Sequence, residues 1–455
     1  MSGGVHVSWG SVVVAAIILT GAGLVVVREW RAGRRVVPSP ARSGVGPADV
    51  VQLREFLSEL GIALNATGTP VTTIVERLRA IAVRFGVADP EIVVLPTLML
   101  VGVPGEYRGT VAVRVGVNMS LRLDQIAAVI AVADDAEAGR LTVEQARRRL
   151  TEVPALPPPY GPAGTVLGYT IFSLGLAMFL QPTIADLLAV TVLGAGVGLF
   201  KLGFPRLAYL QIPLPVLVSF LVSLAAFLLV RADFMEGPIP LLAATLVGFL
   251  PGSTLTTGII DISAGEMIAG SGRLVVGVVQ LGLLVFGIIA AAQVVGLAAD
   301  EADAPVGYVV AGAATPWIGV FVFAVGVHLH LGGAPRSLPW SLAVLYAAYT
   351  GQVLGAAVIG ATMSGFLGAV VMVVVAALLA RFGGPAPVVA YLPAFWLLVP
   401  GALGLVTLTQ AVELPSAAGI ASLMSTAGSV VSIALGVLVG AGVVNAVTRL
   451  AAWRT

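Results

Sequence analysis

FLPGSTLTTGIIDISAG at 249–265 and LVPGALGLVTLTQAVEL at 398–414 decide the fold, because each sets a Pro-Gly pair inside an apolar run. A proline inside a helix removes one backbone hydrogen bond and collides with the carbonyl four residues earlier, so each run should break near its middle. Working outward from these pairs, ten charge-poor runs follow one another at 161–181, 183–200, 207–230, 239–260, 274–296, 306–328, 339–360, 362–380, 387–410 and 416–447. Runs of this length and composition read as helices crossing a hydrocarbon core of ~30 Å. Pro251-Gly252 and Pro400-Gly401 lie 149 residues apart, each in the fourth run of a set of five. Five is odd, so the two sets, 161–296 and 306–447, should enter the membrane in opposite senses as inverted repeats.

Composition agrees. Of 455 residues 58% are hydrophobic and 10% charged, which leaves lipid as the solvent. The 55 glycines suit helices that pack closely where no hydrophobic force acts between them. Cysteine is absent, which excludes disulfides, thiolate metal sites and thiol nucleophiles. A net charge of +1 gives no footprint for nucleic acid.

The charges are segregated. Residues 46–160 hold 24 of the 47 charged side chains, and residues 161–455 hold 17. Ahead of both, Ser8–Val27 runs without a charge and is followed by Arg28, Arg31, Arg34 and Arg35. A cleavable signal would carry its basic residues before the apolar stretch, so 8–27 reads as a retained anchor with its N-terminus outside. Residues 28–47 form a proline-containing linker. Residues 48–155 read as a small cytoplasmic α/β domain: helices over Asp49–Leu64, Thr72–Phe85, Leu121–Ala138 and Thr142–Glu152, with β-rich stretches at Glu91–Val101 and Gly109–Val117. With that domain inside, inner loops hold Lys201, Arg206, Arg273, Arg336, Arg381, Arg449 and Arg454, and outer loops hold Arg231 alone. Acidic residues Asp233, Glu236, Asp300, Glu301, Asp303 and Glu413 sort to the outside. The fold class is thus an all-α polytopic membrane protein: a ten-helix bundle in two inverted five-helix repeats, an extra N-terminal span, and a small cytoplasmic α/β domain.

Five stretches together resemble the threonine/serine exporter family. They are ALNATGTPVTTIVERLRAIAVRFGV (63–87) leading into VVLPTLMLV (93–101), LRLDQIAAVIAVADDAEAGRLTVEQARRRLTEV (121–153), the first Pro-Gly segment with Asp261 and GSGRL (270–274), APRSLPW (334–340), and LVPGALGL (398–405). The resemblance implies a multi-pass protein of the cytoplasmic membrane that exports threonine and serine, driven by the proton-motive force, with no cofactor. Its partners would be these amino acids, protons and the lipid bilayer. The anchor at 8–27 departs from the family pattern.

At the broken helices, the freed backbone groups need polar company. Pro251, Gly252, Ser253, Thr254, Thr256 and Thr257, with Pro400, Gly401 and Gln410 in the second set, would line a wet cavity that holds the ammonium and carboxylate of an amino acid. The alternative is a kink whose hydroxyls bond back to their own helix. Asp261 is the candidate for proton coupling, since a carboxylate in a span costs at least ~2.5 kcal/mol and is functional by default. Its alternative is a cap on an interfacial helix over Ser263–Ala269. Gln410 matches Asp261 in the second set and is uncharged. Asp186 reads as solvent-paired, and His328 and His330 as exposed at an interface. The chain shows no phosphate loop and no HExxH, so an ATP-driven pump or a zinc protease is disfavoured. An embedded hydrolase would want a second aspartate beside Asp261. A membrane-anchored scaffold or sensor that signals through the cytoplasmic domain is the alternative function.

Overall fold

The computed structural model describes residues 47–87, 89–103, 111–115, 121–180, 183–203, 214–234, 238–296, 312–398 and 417–452. The expected anchor at 8–27, nearly all of the linker, and Pro400, Gly401 and Gln410 lie outside the described residues. The chain divides into two compact units. A polar unit comprises 29–157 together with Thr257–Val275, and an apolar unit takes Pro158–Thr256 and the residues from Val276 onward.

In the polar unit, helices α1 (Pro47–Ala66) and α2 (Val71–Arg84) precede strands β1 (Glu91–Val94), β2 (Leu98–Gly102) and β3 (Val111–Val115), and helices α3 (Leu123–Glu137) and α4 (Val143–Glu152) follow. Leu53, Phe56, Leu57 and Leu60 recur along α1 at helical spacing and are buried with Ile74, Leu78 and Ile81 of α2 and Ile126 and Val129 of α3. The stretch read as β-rich over 91–101 is a hairpin of two strands. Pro96 has no amide to give to a ladder, and the chain turns there: Leu95 donates its N–H to the Leu98 carbonyl at 2.8 Å. The sheet runs β1-β2-β3, antiparallel throughout, with Leu100 opposite Val113. Met99 and Val101 face the helices, whereas Val113 and Val115, part of the alternation read from the sequence, are exposed. Arg147 of α4 and Arg114 of β3 both reach Glu59 of α1, at 2.9 and 2.7 Å.

The remaining helices are α5 (Gly161–Ala177), α6 (Ile184–Gly203), α7 (Leu214–Arg231), α8 (Ile239–Thr245), α9 (Gly252–Ser263), α10 (Met267–Val295), α11 (Thr315–His330), α12 (Leu338–Ile359), α13 (Ser364–Arg381), α14 (Pro387–Leu398) and α15 (Ala417–Ala452). Among the described residues, seven helical segments are long and apolar enough to cross a membrane: Gly161–Leu180, Ile184–Gly203, Leu214–Arg231, Met267–Val295, Pro335–Ile359, Ala361–Arg381 and Ala427–Val447. α11 and α14 are apolar but shorter. The fourth expected span is two helices, α8 and α9, and the fifth begins earlier than the hydropathy edge suggests. On α6 the residues Ile184, Leu188, Val192 and Leu199 form an exposed apolar stripe, as a lipid-facing surface requires.

α5 and α11 pack antiparallel through glycine. A Cβ on Gly168 would come within 2.3 Å of the His330 backbone nitrogen, one on Gly175 within 2.3 Å of that of Phe323, and one on Gly326 within 2.1 Å of that of Phe172. Only hydrogen fits at these positions. Gly319 follows Gly168, Phe323 follows Phe172, and Gly326 follows Gly175, at one interval of 151 residues. Exchanging the two helices therefore reproduces the contact, with the Phe172 and Phe323 rings 5.0 Å apart at its centre.

Candidate functional site

In the polar unit, the chain between α1 and α2 turns at Gly68, whose φ of +79° suits glycine. The first amides of a helix have no partner within it, and Pro70, standing before α2, has no side chain that could accept one. The Val71 N–H is taken by Asp261 Oδ1 at 2.9 Å, from the end of α9. A carboxylate at a helix N-terminus is also favoured by the helix dipole. The other oxygen, Oδ2, faces Arg273 Nε at 3.4 Å. Arg273 Nη2 reaches Asn65 Oδ1 at 2.5 Å and the Thr69 carbonyl at 3.4 Å, and Asn65 Nδ2 donates to the Pro96 carbonyl at 2.9 Å. Asp261 is fully buried. The two charges thus answer one another, although Oδ2 receives no hydrogen bond among the described residues.

α9 and α10 meet as a tight helical hairpin. Gly265 turns it with φ +90°, and a Cβ on Gly270 would lie 2.6 Å from the Gly258 carbonyl. Gly272 comes so close to Pro96 that a Cβ would touch its Cγ at 3.0 Å. Two of the five stretches that carry the family resemblance, 63–87 with 93–101 and the Pro-Gly segment with 270–274, therefore come together around Asp261. The sequence showed the carboxylate but not its partners. Asp261 caps α2 rather than its own following helix, and nothing in linear spacing announces a bond across 190 residues.

In the apolar unit, the fourth span breaks just ahead of Pro251. α8 ends at Thr245, a short 3-10 turn covers Val247–Phe249, Leu250 is extended, and α9 starts at Gly252. The freed carbonyls are met by side chains. Tyr169 of α5 donates its hydroxyl to the Thr245 carbonyl at 2.7 Å, and Gln280 of α10 donates to the Phe249 carbonyl at 2.7 Å. Leaving such a buried carbonyl unmet costs about 1–3 kcal/mol. Pro251 and Gly252 are buried, and Ser253 and Thr254 are half-buried. The Thr256 hydroxyl is buried without a hydrogen-bond partner among the described residues. Thr257, counted with the polar unit, is buried as well.

Three sequence expectations change here. His328 and His330, expected to be exposed, are buried. His328 Nε2 lies 3.0 Å from Ser337 Oγ, whose own hydroxyl donates to the Ala334 carbonyl. Asp186 is buried too: it accepts from the Thr183 amide and hydroxyl at 2.8 and 2.9 Å while its own amide donates back, a capping box at the start of α6. Lys201 was read as loop charge, yet its ammonium sits 5.0 Å from the Tyr169 ring centre and 5.1 Å from that of Phe249. No group of three or more metal-ligating side chains is found among the described residues.

A family model described as "Putative threonine/serine exporter" matches residues 55–295, more than half of the chain. No curated protein and no solved structure matches it.

Proposed function

The chain belongs to the threonine/serine exporter family, and from that membership we propose that it is a proton-coupled secondary transporter exporting threonine and serine across the cytoplasmic membrane. The family match carries the substrate and the direction. The polar unit would lie in the cytoplasm, and ten helices would form two five-helix sets of opposite sense. Support for the repeat comes from the α5–α11 pair, whose glycine contacts recur under exchange of the two helices. In step with it, α7 at Leu214–Arg231 is answered by α13 at Ser364–Arg381.

On this reading the solute sits at the broken fourth span, along Pro251, Gly252, Ser253, Thr254, Thr256 and Thr257. Pro400, Gly401 and Gln410 would supply the matching wall. The buried Thr256 hydroxyl, without a hydrogen-bond partner among the described residues, supports the assignment, because a group of that kind gains from a polar ligand. Asp261 would carry the proton. Protonation would discharge its pair with Arg273, while Arg273 would keep Asn65 and the Thr69 carbonyl as acceptors. The end of α9 would then be released with Arg273 still held. Cells loaded with a threonine-containing dipeptide test the proposal: expression of the chain should speed threonine efflux, and unchanged efflux would sink it in favour of a scaffold or sensor.

A further inference from the structure

Lys201 is the only lysine in the chain, against 23 arginines. It lies in the last turn of α6, half-buried. His330 Nδ1 is 3.0 Å from the Thr165 carbonyl, which can only accept, and Nε2 faces the Lys201 ammonium, which can only donate, so the ring proton sits on Nδ1 and Nε2 is bare. That bare nitrogen lies 3.3 Å from Lys201 Nζ and accepts one of its three protons. The faces of Tyr169 and Phe249 hold the ammonium from other sides. All of these neighbours are neutral. Among the described residues no carboxylate forms an ion pair with Lys201. The break passes beside it: a Cβ added to Gly248 would lie 3.3 Å from Lys201 Nζ and 2.7 Å from the Tyr169 ring. The Tyr169 hydroxyl, on the same ring, bonds the last carbonyl of α8.

A cation held in place by neutral groups, with donors to spare and its charge unanswered, is built for an anion. We infer that Lys201 binds the carboxylate of the transported solute at the break in the fourth span. This rests on the export reading for the identity of the solute but not for its carboxylate. Lysine suits the task better than arginine, since a carrier must release its cargo. A guanidinium grips a carboxylate through two parallel bonds, whereas an ammonium is a single point charge on a flexible stem.

A single lysine makes the test direct in the unaltered protein. Full-length chain grown with carbon-13-labelled lysine gives one ε-methylene resonance. Threonine and lactate, which share a carboxylate, should shift it, and threoninol, in which an alcohol replaces that carboxylate, should not. Lys201→Gln should weaken threonine affinity about tenfold or more and erase the preference over threoninol, as loss of a charge-assisted bond implies. Lys201→Arg should keep the preference. A resonance unmoved by either carboxylate, or moved only by anionic lipid, would overturn the assignment, as would a Lys201→Gln chain that still prefers threonine. The outcomes separate from the export reading: normal dipeptide-loaded efflux with a silent resonance removes the Lys201 site alone. A responsive resonance with no efflux removes the export reading and leaves the site.

Discussion

Asp261 in the polar unit and Lys201 in the apolar unit are both charged side chains set inside the fold, and they are treated in opposite ways. Asp261 gives one oxygen to the Val71 amide and pairs its charge through the other with Arg273 at 3.4 Å. Lys201 is surrounded by two rings and a neutral imidazole, and its charge meets no acid among the described residues. A matched pair makes structure, because removing the cation strands a buried carboxylate. An unmatched charge costs stability unless something else supplies the counter-charge, and so marks a place for a ligand.

The comparison can be broken first at Arg273. Arg273→Leu leaves a buried carboxylate without its cation and should cost about 3–5 kcal/mol, read as a fall in the thermal midpoint of the purified chain. Adding Asp261→Asn to that variant should restore most of the loss. Lys201→Leu, by contrast, should cost far less, since it strands no charge and leaves only the neutral His330 Nε2 without its donor. Equal losses at the two sites would end the distinction.

Smaller effects sharpen the account of the scaffold. Gly175→Ala and Gly326→Ala each push a methyl group into the backbone of the opposite helix, at about 1–3 kcal/mol by overpacking. Because the contact repeats under exchange of α5 and α11, the two losses should match within error, and a large inequality would count against the repeat. Gln280→Leu strands the Phe249 carbonyl and should cost about 1–2 kcal/mol, measured by denaturation, with Tyr169→Phe doing the same at Thr245.

How much of this was legible depended on whether one residue type carried the signal. The break at Pro251 was readable because proline lacks an amide, and the long spans because their apolar runs are uninterrupted. The helices of the polar unit followed from the spacing of Leu53, Leu57, Leu60 and Ile74. The β-rich character of 91–101 was legible from its apolar residues, while its division into two strands at Pro96 is set by a turn that composition does not locate. The partners of the break, Tyr169 and Gln280, come from other helices, and hydropathy gives no facing between helices. Lys201 was counted as loop charge because the sorting of basic residues weighs position in the chain and is blind to the rings beside it. Asp261 stood out as a carboxylate, while the amide it caps lies 190 residues away.

The central claim, that Asp261 carries the coupling proton of an exporter, is tested most directly by threonine flux in reconstituted vesicles with and without an imposed pH gradient. Asp261→Asn keeps the shape and an oxygen for the Val71 amide but cannot gain or lose a proton. The account predicts that the wild-type flux rises with the gradient, that the Asp261→Asn flux does not, and that exchange of labelled threonine at equal concentrations survives in the variant. A gradient response in Asp261→Asn equal to that of the wild type would contradict it.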